Sequence, residues 1–534
     1  MKRMLMVLCV LALALAAVGC APPEEPVEPV EPVEPEEPLE PEEPVEEVIT
    51  PNTAVHAVQG EMPSLDPPYM LSADTNIGFN VYETLTLWLP DEGVVPVLAE
   101  SWESNDDATE WTFNLRQGVT FHDGSEMMAH DVKASLDRNI DIGMVAYNFI
   151  GIESIEVVDD YTVRVLCSEP RDVPLVLSAG YGMFIYSAEG AERGTEWFAQ
   201  GNDAGTGPYT IERYEPGHAI VVTRYEDYWG GWQDGQFTEV AFEMVEDPTV
   251  REAMIRGGDA DITFGIPFTS IEGLQALDGL TVYPYEAFAH VVGAFALRNA
   301  PLDNVQVRQA LAYSFPYEDV HEGVFLGYGS IPKGFGPTML WDPPEGFPRY
   351  ELDLDRAAEL LDAAGYGDGF QLRLAVFVGQ AQNIEAAELW QAQLAQIGVD
   401  LRIEQLSSGA FWDYAYTPEQ DEFHIMMVTA SGDVASPWSW LICYTSSPLG
   451  WLPLVGYDNP EFDSLVFDAW AKEATAPEEA DELWVEAQRL LYEDAASIFI
   501  YDEPMVVAHG DDVVGFEPNP AYPTDVFWYN LRRE

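Results

Sequence analysis

Residues 354–403 read LDRAAELLDAAGYGDGFQLRLAVFVGQAQNIEAAELWQAQLAQIGVDLRI, and their periodicity changes three times. The spacing predicts a helix from about Asp355 to Ala364, with Asp353 or Asp355 placed to cap it and Gly365 placed to end it. A strand follows, carrying Phe370, Leu372, Leu374 and Val376 on one face. A second helix runs from about Asn383 to Ile397, where Ile384, Ala387, Trp390, Leu394 and Ile397 form one stripe and Gly398 stops it. The strand 399–403 comes next. A strand–helix–strand of this size predicts a right-handed crossover between parallel strands, and so an α/β fold.

The same alternation extends outward in both directions. Toward the C-terminus, an apolar strand at 423–428 is followed by an amphipathic helix at about 477–494 and a strand at 496–501. Toward the N-terminus, Glu110–Leu115 and 220–225 read as strands, while 130–138 and 305–315 read as helices. No internal repeat interrupts this order. The 534 residues include 15 Trp, 25 Tyr and 25 Phe, enough apolar material for two to four domain-sized units.

The first fifty residues have a different character. Lys2 and Arg3 precede a nearly unbroken apolar run from Met4 to Val18, about fifteen residues and too short to span a bilayer. This predicts a signal peptide over 1–19. The run ends at Ala17-Val18-Gly19-Cys20, which resembles the bacterial lipoprotein processing box, except that Ala17 stands where Leu is usual. Cys20 is therefore expected to carry lipid. From Pro23 to Pro44 a proline recurs every third residue with Glu and Val between. That period puts the prolines on one side of a polyproline II helix. At about 3.1 Å per residue, the tether 20–50 reaches up to roughly 90 Å.

Charge excludes several partners. The chain holds 93 acids against 23 bases, a formal net charge of −70, and only four of the bases are lysines. Twelve of the glutamates lie in the tether, which leaves about −60 on the rest. Nucleic acid and anionic membrane surfaces are excluded as partners on this ground. The eight His are scattered, with neither a His-Glu-x-x-His nor a Cys-x-x-Cys motif, so no metal site is expected. Cys9 leaves with the signal peptide, and Cys167 and Cys443 are expected to be buried free thiols. No Gly-x-Ser-x-Gly, Walker or dinucleotide motif appears.

A series of short motifs runs in order along the chain: Ser64-Leu65-Asp66-Pro67, Val81-Tyr82-Glu83-Thr84-Leu85, 96–102 (PVLAESW), 111–124 (WTFNLRQGVTFHDG), Asp131-Val132, Gly205-Thr206-Gly207-Pro208-Tyr209, Tyr228-Trp229, 258–262 (GDADI) and Val307-Arg308-Gln309-Ala310-Leu311. Together they resemble family 5 of the extracellular solute-binding proteins, the oligopeptide, dipeptide and nickel receptors of ABC importers, over roughly residues 52–534. The resemblance implies a two-lobe periplasmic-binding-protein-like fold of type II with a ligand cleft between the lobes. Lobe 1 would comprise 51–289 and 503–534, with the family's extra subdomain at 79–202, and lobe 2 would comprise 290–502. The chain would cross between lobes near 289–295 and 501–505. The implied function is that of a monomeric receptor without cofactor or catalysis, held by its lipid on the outer face of the cytoplasmic membrane. It would deliver a small solute, a peptide first among them, to the permease and ATPase subunits of an importer.

The resemblance also points to site residues. Asp433, in the loop after the 423–428 strand, matches the Asp that pairs with the ligand α-ammonium in peptide-binding members. A buried carboxylate needs such a partner; otherwise the residue is an Asp in a turn. Ala430 stands where Trp is common and Ser436 where an acid often precedes the Pro, so Trp438 and Trp440 are candidates for the missing aromatic surface. Dipeptide-type members place an Arg after the strand ending near Val376. Here that loop reads Val378-Gly379-Gln380-Ala381-Gln382, which leaves longer peptides held through their backbone, or a non-peptide solute such as an opine, an oligosaccharide or a metal complex. Arg298 is the nearest alternative cation, and Tyr82, His290 and Tyr501 are candidates for the cleft wall. His122 and Asp123 read as structural, and His424 as a satisfied core group. A secreted hydrolase with a carboxylate pair and a surface adhesin are the rival classes; turnover would mark the first and an open protein-binding surface the second.

Overall fold

A computed structural model describes residues 52–340, 343–417, 422–450 and 452–534. The expected signal peptide, Cys20 and the tether lie outside them. Three principal sheets organise the described chain. The first has seven strands in the order Leu280–Tyr285, Met505–Gly510, Ile262–Phe264, Thr53–Val58, Glu239–Met244, Ala219–Arg224 and Tyr209–Glu215. Its centre is parallel, because Thr53–Val58 runs with both neighbours, and its flanks are antiparallel. A four-stranded antiparallel sheet follows the order Ala99–Ser104, Glu110–Leu115, Thr162–Cys167 and Ile152–Asp159. The third has five strands, ordered Val399–Leu406, Phe370–Phe377, Ile425–Ser431, Ala289–Phe295 and Ser497–Asp502.

The 354–403 region folds as its periodicity predicts. Asp353 accepts a hydrogen bond from the Arg356 N–H at 2.8 Å and caps the helix Leu354–Ala363. The helix Ala381–Gln396 buries Ala387, Trp390 and Leu394. Strands Phe370–Phe377 and Val399–Leu406 pair in parallel, with Phe370 opposite Val399. Leu372, Leu374 and Val376 are buried, as the alternation requires.

The ordered motifs turn out to be structural ties. Glu83 is buried and accepts hydrogen bonds from the Thr206 hydroxyl (2.8 Å), the Tyr228 hydroxyl (2.9 Å) and the Trp229 indole (3.0 Å). Two motifs more than a hundred residues downstream thus meet at the carboxylate of a third. Arg138 grips Asp66 with two bonds of 2.7 Å. His122 bonds Asp203 through Nδ1 and the Gly207 carbonyl through Nε2 at 2.9 Å, and Asp123 holds its own turn through the Ser125 N–H at 2.8 Å. All are holding points of the scaffold, as expected for His122 and Asp123. Cys167 and Cys443 are both buried and free.

The chain passes between the seven-stranded and the five-stranded sheet twice, once in each direction. The second passage falls at Glu503-Pro504, between strands Ser497–Asp502 and Met505–Gly510. The first falls at 286–288, ahead of the expected 289–295. That segment is instead a fully buried strand inside the five-stranded sheet, paired on both edges. Its run Ala289-His290-Val291-Val292-Gly293-Ala294-Phe295 contains too few turn residues to be a linker. Among the described residues no helix is long and apolar enough to cross a membrane.

Candidate functional site

The strand Ile425–Ser431 lies inside the five-stranded sheet, with Phe370–Phe377 on one side and Ala289–Phe295 on the other. Its C-terminal end is therefore held firmly, and the loop that follows carries Asp433. The Val434 N–H donates to the Ser439 hydroxyl and the Trp438 N–H to the Ser436 hydroxyl, each at 3.1 Å, which fixes the loop against the short helix Trp438–Leu441. Gly432 is required here. A Cβ at that position would fall 2.2 Å from the Trp440 ring, so only glycine lets the indole pack beneath the loop.

Asp433 is 5% exposed. It meets residues brought by the four-stranded sheet's unit: the Asn148 amide donates to its Oδ2, and the Tyr147 hydroxyl bonds it as well. Both belong to the 3₁₀ turn Ala146–Phe149, between helix Ala129–Ile142 and strand Ile152–Asp159. Burial pushes the Asp433 carboxyl up, against the opposing pull of these bonds. No ion pair joins Asp433 to a Lys, Arg or His among the described residues. Asp433 is thus a buried acid with neutral donors and no counter-charge among the described residues, enclosed between two sheet units.

The same contact continues beside Asp433. Trp438 stacks on Trp470 with centroids 4.7 Å apart and planes 9° apart. The Arg171 guanidinium, from the other unit, lies 5.3 Å from the Trp470 ring centre. Arg171 Nε donates to the Ile150 carbonyl at 3.0 Å, and Nη2 donates to Glu169 at 2.9 Å. Glu473 accepts from the Ser436 hydroxyl (2.6 Å) and the Trp484 indole (2.9 Å), and burial pushes it up to about 8. On the opposite side of the loop, Trp440 donates to the Ala430 carbonyl at 3.3 Å and meets Phe288 edge-on at 6.2 Å; Phe288 in turn contacts Trp88 at 5.4 Å. Trp438 and Trp440 thus act through packing that supports the Asp433 loop.

The other candidates fall elsewhere. His290 Nδ1 bonds Asp502 Oδ1 at 2.8 Å, and Asp502 Oδ2 accepts from Ser330, from the Thr338 N–H and from the Thr338 hydroxyl. Tyr501 stacks on Phe325 at 3.7 Å and 14°. Both brace the connecting segments and do not join the Asp433 contact. Tyr82 lies in the core against Phe184 and Tyr186. Arg298 is exposed and donates to the Pro453 carbonyl at 3.2 Å, so it gives no sign of serving the site. His424 is half-buried and accepts from the Arg373 N–H through Nδ1 at 3.2 Å. Among the described residues no three His, Cys, Asp or Glu are grouped to hold a metal. Asn148, Tyr147, Arg171 and Glu473 had not stood out in the sequence.

Two sheet units joined by two adjacent strand connections, with a buried acid enclosed between them, define the class of hinged solute receptors. Residues 93–449 match the family described as bacterial extracellular solute-binding proteins, family 5 Middle, and the chain belongs to that family. It is 29% identical over 441 residues to the glutathione-binding protein GsiB of Salmonella typhimurium, covering 80% of this chain and 84% of that one. It is also 29% identical to heme-binding protein A of Haemophilus influenzae, covering 80% of each. Among solved structures it superposes on the periplasmic binding protein DppA of Helicobacter pylori in complex with peptide STSA, with TM-score 0.80, 24% identity and coverage of 90% of this chain and 98% of that one. NikZ of Campylobacter jejuni in complex with Ni(L-His) gives TM-score 0.80, 20% identity and coverage of 91% and 100%. Both likenesses bear out the two-lobed α/β fold with a cleft.

Proposed function

We propose that this solute-binding protein captures a small peptide between its lobes, with Asp433 taking the peptide's α-ammonium group, and passes it to the permease of an ABC importer. The observation that carries this reading is the enclosed Asp433 carboxyl group, held by Tyr147 and Asn148 from the facing lobe with no cation among the described residues paired to it. An ammonium group there would gain a charge-assisted bond in a water-excluded site. Relatives named for glutathione and a neighbour holding the peptide STSA are consistent with a peptide. The lobes would be 51–289 with 503–534 and 290–502, the boundary shifting to 288 by the strand assignment, with 79–202 as the extra subdomain. The protein would act as a monomer, anchored by lipid on Cys20 outside the cytoplasmic membrane, with the Pro/Glu tether keeping it near its permease.

A receptor closes without turnover. Adding a mixture of short peptides should lower the radius of gyration in solution scattering, and the peptides should be recovered intact after long incubation. Cleaved peptides would turn the assignment toward a hydrolase, and an unchanged radius across peptide, sugar and nickel-complex mixtures would turn it toward an adhesin.

A further inference from the structure

A receptor that closes moves on the few residues joining its two units. Here those residues are Glu503-Pro504 on one side and 286–288 on the other. Asp502, the residue before this second crossing, holds a distant segment of the five-stranded unit against it. Asp502 and Ser330 exchange two main-chain bonds of 2.9 and 3.3 Å. The Asp502 carboxylate accepts from the Ser330 hydroxyl (3.1 Å), the Thr338 N–H (3.0 Å) and the Thr338 hydroxyl (2.6 Å). Gly329 lies so near the crossing that a Cβ would fall 2.5 Å from the Asp502 carbonyl oxygen and 2.7 Å from Pro504 Cδ. A cavity of about 20 Å³ separates the segment from both crossings, with Thr338 and Met339 on one wall and Glu286, Ala287, Glu503 and Pro504 on the other.

The same segment touches the seven-stranded unit. Tyr328 stacks on Phe268, in the 3₁₀ turn that follows strand Ile262–Phe264, with centroids 5.6 Å and planes 16° apart. Phe325 meets the same ring edge-on at 5.9 Å and is itself stacked on Tyr501. Between these two aromatics Leu326 has φ of 54° and a side chain 44% exposed. A bulky residue is rare in the left-handed region and persists there only where its surroundings hold it. Phe325 and Tyr328, each stacked on a partner, supply that hold.

We propose that residues 325–338 form a strap, a third link between the two units that biases the empty receptor toward closure, whichever solute the cleft takes. Tyr328 grips the seven-stranded unit and Ser330 grips Asp502 in the five-stranded one. Only Gly329 lies between the two grips. Rotation about the crossings moves Phe268 relative to Asp502, and a link of one residue has no slack to follow it. Contacts made when the units are closed and lost when they part raise the closed population of the empty protein.

Hydrogen exchange on the empty full-length protein tests the strap without a ligand. The facing segments 146–149 and 432–440 report on opening, and the buried strand Phe370–Phe377 reports on general stability. Tyr328→Ala and Gly329→Ala should each speed exchange at the facing segments by about threefold or more, with Phe370–Phe377 unchanged and Tyr328→Phe behaving as wild type. Thr338→Val, which removes one hydroxyl from Asp502 at nearly constant size, should give the same pattern at about twofold and decides should the other variants fail to fold. Unchanged exchange at the facing segments would overturn the strap. Faster exchange everywhere alike would also overturn it and mark the segment as ordinary core.

Discussion

Asp433→Asn should weaken binding of a peptide with a free α-amino group by about a hundredfold, while the unliganded protein melts at the same temperature or higher. Removing one member of a buried, hydrogen-bonded charge pair costs 2–5 kcal/mol in comparable interfaces, and about 3 kcal/mol corresponds to a hundredfold. The stability of the empty protein moves the other way. With no ligand, Asp433 is a desolvated acid whose carboxyl burial pushes up, and an amide of the same shape removes that cost. The variant keeps an oxygen for the Asn148 amide, so the lobe contact survives. Calorimetry and a melting curve on the same sample check both halves. A parallel fall in affinity and melting temperature would mark Asp433 as a structural loop residue.

The second large effect is an unusual pH response. Burial raises Asp74 and Asp525 to about 7 and Glu473 to about 8. These acids prefer to be neutral in the folded protein, so folding takes up protons wherever the unfolded chain would be ionised. Their contribution is fully present below the ordinary carboxylate range and is lost as pH rises through 7 and 8. His122, raised chiefly by Asp203 against the effect of burial, acts in the same direction. His56 opposes them: burial among Phe242, Phe264 and Trp528 lowers it to about 3, so acid below its ordinary value destabilises the fold. The melting temperature should therefore rise by several degrees from pH 8.5 to about 6.5 and go on rising less steeply below that, where His56 offsets part of what the three acids contribute. Surface repulsion among the many acids would give a similar rise, but salt screens it. The rise should persist in 1 M salt. Its disappearance there would assign it to the surface.

Much of the scaffold is legible in the sequence because it is periodic. The stripe of Trp390 and Leu394 and the alternation of Leu372, Leu374 and Val376 each describe one buried face, and the elements formed where that burial required them. The strand Ala289–Phe295 is buried on both faces and shows no alternation, so no period marked it, and the resemblance put a crossing there. Glu83 was visible as part of a motif, but its bonds to Thr206, Tyr228 and Trp229 depend on long-range contacts that no local pattern encodes. The site divides in the same way. Asp433 stands out only through the family resemblance, since by its own sequence it reads as an acid in a turn after a strand. Asn148 lies in an isolated 3₁₀ turn, and Arg171 is buried by segments distant in sequence, Ile150-Gly151 on one side and Trp470 on the other. The expected cation at Arg298 failed for the converse reason, since a charge near a strand end tends to point to water.

The most direct measurement is native mass spectrometry of full-length protein purified from rich medium without refolding, followed by denaturation to release whatever it carries. A mixture of peptides with free amino termini is the expected cargo, and the Asp433→Asn protein should carry less of it. A single defined solute without an amino group, carried equally by both proteins, would contradict the assignment of Asp433 as the ammonium receptor.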